Sequence, residues 1–177
     1  VNNWDVSNIT TFNNFFNGSQ FNQDCNNWNV SKATSFEGIF QTSPFNKTLS
    51  SWDVSSATGL GSMFASNTAF NQDISIWNIS KVTSVPGMFF EATAFDKSLA
   101  PWDVTSLTGN QALFFANGSG LSTTNYNSLL ISWASQNVKS SVSINFGTSQ
   151  YTAGSDAATA RATLVSKGWT ITDGGTA

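Results

Sequence analysis

The sequence predicts an α/β solenoid: five right-handed coils of about 25 residues, closed by a C-terminal cap of helices and strands. Three observations lead there. A tryptophan phrase recurs five times at a near-constant interval, two phenylalanines keep fixed distances from it, and the rhythm lengthens into longer periodic segments after residue 119. Repetition at a period of 20–50 residues decides a fold more firmly than local propensity does.

Trp4, Trp28, Trp52, Trp77 and Trp102 recur at intervals of 24, 24, 25 and 25 and open the phrases WDVSNIT, WNVSKAT, WDVSSAT, WNISKVT and WDVTSLT. Twelve residues after each Trp stands Phe16, Phe40, Phe64, Phe89 or Phe114, and seven before the second to fifth Trp stands Phe21, Phe45, Phe70 or Phe95. The variation in length falls between the two Phe positions, which marks that segment as an exposed loop. An Asn or Asp follows the second Phe in each copy (Asn22, Asn46, Asn71, Asp96).

Within a unit, Trp-x-Val/Ile alternates with the period of a short strand. The Thr six residues after Trp then precedes apolar residues at i, i+3 and i+4, as in Phe12, Phe15 and Phe16, which reads as one helical turn with Thr at its N-cap. A second extended piece runs to Cys25, Leu49, Ile74 or Leu99, three residues before the next Trp. A unit this small buries no core of its own, so the units must stack. Stacking aligns the Trp, the Val/Ile two residues on, the aliphatic five residues on (Ile9, Ala33, Ala57, Val82, Leu107) and both Phe positions as buried ladders.

Residues 1–119 thus form a five-repeat solenoid and residues 120–177 its capping units. In the cap, Tyr126, Leu129, Leu130 and Trp133 take helical spacing after Ser122, Thr123 or Thr124; Val142, Ile144 and Phe146 alternate as a strand; Asp156 to Lys167 is Ala-rich and helical with Gly168 as its stop; Trp169 to Ile171 forms a last strand. Val1 opens in the middle of a unit, so the first coil is expected to lie uncovered unless more protein precedes it. Without a basic n-region or apolar h-region at the start, any export signal is expected outside this sequence.

Composition narrows the function. Of 177 residues, 10% are charged, 14% aromatic, and 67 are Asn, Ser or Thr. Seven Lys plus Arg against ten Asp plus Glu, a net charge of -3, leave no basic footprint for nucleic acid. No apolar run reaches the roughly 18 residues of a membrane span. The sequence has no His, which removes Ser-His-Asp and Cys-His catalysis and His-containing zinc sites.

The remaining chemical readings each meet a plainer one. Cys25 fills a ladder slot held elsewhere by Leu or Ile, which makes it a buried thiol rather than a nucleophile. Asp5, Asp53 and Asp103 alternate with Asn29 and Asn78, so calcium would find too few carboxylates per coil, whereas turn hydrogen bonds accept either residue. Ordered Ser/Thr ladders raise ice binding as a minor alternative, though inter-coil hydrogen bonding explains the same Thr. The sequons at Asn8, Asn17, Asn29, Asn46, Asn78 and Asn117 matter only in a glycosylating host. No spacing singles out an acidic pair for glycoside hydrolysis. No catalytic residue, metal or cofactor is expected.

The phrase W-[DN]-[VI]-[ST]-x-[AVIL]-T, followed by pairs such as Met63-Phe64 or Ile39-Phe40 and by F-N-Q-D-I at Phe70–Ile74, resembles the repeat of about 25 residues in BspA-like leucine-rich-repeat surface proteins and mycoplasma lipoproteins. The likeness covers residues 1 to about 119 and extends to relatives known only as domains of unknown function. It implies a leucine-rich-repeat-like solenoid, display outside the cell or at its surface, and adhesion or protein binding; it transfers no catalytic residue. The function expected is a non-enzymatic module that binds a protein or glycan, with Asn17, Gln20, Gln41, Asn67 and Glu91 in the inter-Phe loops as contact residues. The alternative is a subunit of a surface filament or layer that joins further copies of itself through the first coil. Placing Phe64 in a buried ladder carries a measurable consequence: Phe64→Ala is expected to cost roughly 3–5 kcal/mol in denaturant melts, and a loss under about 1 kcal/mol would put that face on the wrong side.

Overall fold

The computed structural model describes residues 3–116 and 118–177, which leaves the Asn117 sequon outside the described residues. Its regular elements are β1 (Phe89–Phe90), β2 (Asn110–Ala116), α1 (Thr123–Ala134), β3 (Ser143–Phe146), α2 (Asp156–Ser166) and β4 (Thr170–Thr172). The four strands form one parallel sheet in chain order. Upstream, isolated parallel bridges join Thr11 to Ser35, Ser35 to Gly59 and Gly59 to Ser84, so successive repeats lie side by side in register.

The backbone between those bridges and the first Phe follows one rule. The N–H groups of Phe12, Asn14, Phe16 and Gly18 donate to the carbonyls of Ser35, Glu37, Ile39 and Gln41 in the next coil, while Phe15, Asn17 and Ser19 donate three residues back within their own coil. The next coils repeat the alternation, with Phe36, Gly38, Phe40 and Thr42 donating to Gly59, Gly61, Met63 and Ala65. Alternation requires the left-handed region at two positions per coil: Asn14, Gly38, Ser62 and Gly87 at the first, Gly18, Thr42, Ser66 and Glu91 at the second. For a residue with a side chain that conformation costs roughly 1–2 kcal/mol, and the inter-coil bonds hold it in place.

This rule replaces the expected turn of helix. Every second N–H leaves for the neighbouring coil, so no i→i−4 bond closes. Nor does Thr cap anything: the N–H and hydroxyl of Thr34 both donate to Thr10 O, and Thr58 and Thr83 repeat this onto Thr34 and Thr58. The Trp-x-Val segment is likewise not a strand but a link between tight turns such as Trp28 N–H to Cys25 O and Ala33 N–H to Val30 O. Its neighbours reach it through side chains: the Trp52, Trp77 and Trp102 Nε1 groups donate to the Cys25, Leu49 and Ile74 carbonyls at 2.9, 3.2 and 3.0 Å.

The rings stack in two interlocked columns. Phe16, Phe40, Phe64 and Phe89 follow one another at 5.8–6.0 Å, and Phe21, Phe45, Phe70 and Phe95 at 5.9–6.3 Å. Within coils, the Phe16–Phe21, Phe40–Phe45 and Phe64–Phe70 pairs stack at 3.6, 3.8 and 3.7 Å, although the third loop is one residue longer. The insertion therefore stays outside the core. Trp28, Trp52, Trp77 and Trp102 are buried, as are Phe16, Phe40, Phe64, Phe89 and Phe114. Trp4 departs from the expectation at 51% exposed: it stacks on Trp28 at 5.9 Å, and no ring stacks on its opposite side among the described residues. Ile9 and Phe21, beside that end, are partly buried for the same reason.

The fifth coil slips by one residue. Phe115, not Phe114, pairs with Phe89 in β2 and stacks on it at 5.0 Å. Phe114 meets Phe89 and Phe146 edge-on, at 5.5 and 5.9 Å, and so joins the ladder to β3. The cause is Gln111, which is buried: its Oε1 accepts from Val85 N–H, the position served elsewhere by a backbone carbonyl, and its Nε2 donates to the Thr83 and Thr108 carbonyls. A side-chain amide thus substitutes for a backbone rung and takes up one residue of chain.

A second ladder leads to the start of α1. Asn22 Oδ1 accepts from Asn46 N–H, Asn46 from Asn71, Asn71 from Asp96, and Asp96 from Ser122 at the N-cap of α1. The Ser122 hydroxyl also donates to Asp96, and its oxygen accepts no N–H of its own helix. Trp133 in α1 sends Nε1 to Leu99 O at 3.0 Å, continuing the tryptophan contact from a helix instead of a coil. Helices α1 and α2 pack together, and Asp173 ties them by accepting from Tyr126 Oη and Arg161 Nε, both at 2.7 Å. Gln111→Leu is expected to cost roughly 1–3 kcal/mol in urea melts, since Val85 N–H loses its buried acceptor; an unchanged midpoint would mean that the rung carries no load.

Candidate functional site

The face built by the left-handed turns carries a concavity of about 240 Å³ lined by Asn14, Glu37, Gly38, Gln41, Gly61, Ser62 and Pro86. These residues come from four successive repeats, nine, ten or thirteen positions after their tryptophans. Three inter-coil bonds run beneath it: Asn14 N–H to Glu37 O, Gly38 N–H to Gly61 O and Ser62 N–H to Pro86 O, at 2.8, 3.0 and 2.8 Å. The floor is therefore fixed by the same bonds that stack the coils.

Glycine makes the hollow possible. A Cβ on Gly38, at φ +64, would strike Asn14 Oδ1 and approach Gln41 Oε1 to 3.2 Å; one on Gly61 would lie 3.3 Å from the Pro86 ring. On the rim, Asn17 Nδ2 donates to Asn14 Oδ1 at 3.1 Å and Gln41 Oε1 at 3.3 Å. That leaves the Asn14 and Gln41 NH₂ groups, the Ser62 hydroxyl and the Glu37 carboxylate without hydrogen-bond partners among the described residues. The lining combines donors and acceptors, with one negative charge and no cation.

Of the contact residues read from the sequence, Asn17 and Gln41 meet at this rim. Gln20 is exposed in the first inter-Phe loop, and Glu91 Oε2 accepts from Ser66 Oγ at 2.9 Å in the next coils. Asn67 is a correction: it is fully buried, donates to Phe45 O and accepts from Ala69 and Phe70 N–H. It closes the longer loop as the Ser19 and Ser43 hydroxyls close the shorter ones. Sequence reasoning missed Asn14, Glu37, Gly38, Gly61, Ser62 and Pro86; the small residues recurring nine and ten positions after Trp were the available signal.

The other polar groups serve the turns. Asp5, Asn29, Asp53, Asn78 and Asp103 each accept through Oδ1 from the backbone N–H two residues on. Hydrogen bonds from the hydroxyl and then the N–H of Ser7, Ser55 and Ser75 hold the Asp5, Asp53 and Asp73 carboxyls below the usual range. Burial, with the Asp24 charge adding to it, pushes the Cys25 thiol up to about 12, which leaves it protonated. Among the described residues, no group of three or more Cys, Asp or Glu gathers as a metal site, and no helix is long and apolar enough to cross a membrane.

The family described as Mycoplasma protein of unknown function, DUF285, matches residues 1–44 and 41–126. No curated protein and no solved structure matches the chain.

The aspartate turns set a pH dependence. Their folded-state affinity for protons is lowered, so their stabilisation is present above the unfolded value of about 3.9 and is lost as pH falls through the lower folded value. Midpoints of urea unfolding should fall on acidification below about pH 4, and replacing Asp5, Asp53 and Asp73 by Asn should flatten that slope without loss at neutral pH. A slope unaltered in the triple variant would assign the acid sensitivity to other groups.

Proposed function

Since the chain belongs to the family described as Mycoplasma protein of unknown function, DUF285, we propose that it is a non-enzymatic binding module of BspA-like type, exposed outside the cell or at its surface, which engages a protein or glycan. We read its stack as a right-handed leucine-rich-repeat-like solenoid of five coils with residues 120–177 as its cap. The parallel bridges, the ring columns and the Asn22–Asn46–Asn71–Asp96 ladder support that reading. One observation carries the function: the hollow across four repeats has a floor fixed by backbone bonds, and its lining carries two amide NH₂ groups, a hydroxyl and a carboxylate that have no hydrogen-bond partner among the described residues. A pre-organised site binds without first ordering its own groups, which is where affinity is otherwise lost.

Self-assembly is the second reading, favoured by Trp4 and Phe15, which are 51% and 45% exposed on the first coil. Stacked ends present rows of polar backbone to any further coil. Light scattering across a dilution series distinguishes the two, because assembly through this end predicts growth that Trp4→Ser abolishes.

The labelled chain is expected to bind saturably to a cell surface or to arrayed proteins and glycans. A Glu37→Ala, Gln41→Ala double variant with an unchanged melt should lose that binding by about tenfold or more, equivalent to about 1.4 kcal/mol. Absence of binding by the folded chain across all these surfaces overturns the proposal.

A further inference from the structure

We propose that the hollow over Gly38 and Gly61 takes one neutral sugar unit of a glycan chain, held by the Asn14 and Gln41 amides, the Ser62 hydroxyl and the Glu37 carboxylate. This rests on reading the chain as a binding module and names the ligand class of that site.

Chemistry removes the other classes in turn. An anionic ligand would meet the Glu37 carboxylate with no Lys or Arg in the lining to offset it. A divalent cation wants six or more oxygens with several charges among them, and one carboxylate beside two amides does not supply them. An extended peptide is captured by free backbone N–H and C=O groups along an edge; here the central N–H groups of Asn14, Gly38 and Ser62 already donate to the neighbouring coil. A folded protein surface would seat an aromatic or aliphatic anchor in an apolar pocket, but Pro86 is the sole apolar ring in this lining.

A polyol fits what remains. Each sugar hydroxyl both donates and accepts, which matches a lining of two NH₂ donors, one hydroxyl and one acceptor-only carboxylate. Glu37 accepts from the ligand's hydroxyls, the Asn14 and Gln41 amides donate to their oxygens, and the C–H face of the ring packs on Pro86 and the bare glycine backbone. At about 240 Å³ the hollow is smaller than the roughly 300–1,000 Å³ of sites that enclose whole drug-sized ligands, so it takes one unit of a chain that continues beyond it.

The test is a titration of the isotope-labelled full chain with neutral oligosaccharides of glucose, galactose, mannose and N-acetylglucosamine, followed by the Asn14 and Gln41 side-chain NH₂ and the Gly38 and Gly61 backbone resonances. At least one series should shift these signals saturably, with sialylated and uronate-bearing analogues weaker. Gln41→Ala and Glu37→Ala, checked for an unchanged melt, should each raise Kd by about tenfold. Shifts that persist in both variants, or no shift with any neutral series, overturn the sugar assignment. If a protein on the array still binds and these variants weaken it, the binding module stands and the glycan falls; if the folded chain binds nothing at all, both fall.

Discussion

Everything in this molecule depends on where so short a repeat sends its backbone polar groups. A helix satisfies its own and a sheet satisfies those of a neighbour; these coils alternate between the two, one N–H inward to a turn and the next outward to the adjacent coil. Buried backbone groups left unpaired cost about as much as a lost hydrogen bond, so the alternation forces two left-handed positions per coil and one shared register. The aromatic columns follow from that register, because it brings the same position of successive coils to stacking distance.

The candidate site is a consequence of the same rule. Left-handed positions favour glycine, and glycine at Gly38, beside Gly61, removes the side chains that would fill the face. What remains is a basin whose base is structural and whose walls are two amides, one exposed and one half-buried, and one carboxylate. Scaffold and site share atoms along this face: the Glu37, Gly61 and Pro86 carbonyls stack the coils while their residues line the basin. The aspartates belong to the scaffold, since Asn29 and Asn78 serve the same turn as Asp5, Asp53 and Asp103 without a charge.

The low charge of the chain has a physical reading in this arrangement. A charge repeated in every coil would face its copies about 4.8 Å apart, and like charges directly opposite destabilise a pairing. Neutral Asn, Ser and Thr can repeat without that cost, and the structure uses their hydroxyls and amides as rungs: Thr onto Thr, Asn onto Asn, Ser across the loop. Where a copy changes, its neighbours compensate locally. Gln111 restores a rung with its side chain, and Asn67 closes a loop that is one residue longer.

Much of this was legible in the residues. Regular spacing identified the units and the apolar ladders, because copies that stack must place like residues alike, and the apolar periodicity after Ser122 marked helices α1 and α2. The backbone between the ladders was not legible, since Phe12, Phe15 and Phe16 have the same spacing in a helical turn as in a turn that bonds alternately to its neighbour. The basin was hidden for a related reason: its walls come from one to three positions in each of four coils, far apart along the chain, that only stacking brings together. The sequence by itself determined which residues repeat and which sides of the coil are apolar. Tertiary structure alone decided that Asn67 is buried, that Phe115 rather than Phe114 takes the rung on Phe89, and that Trp4 is half open. Each of these depends on how one coil meets the next, and spacing within a coil carries no record of it.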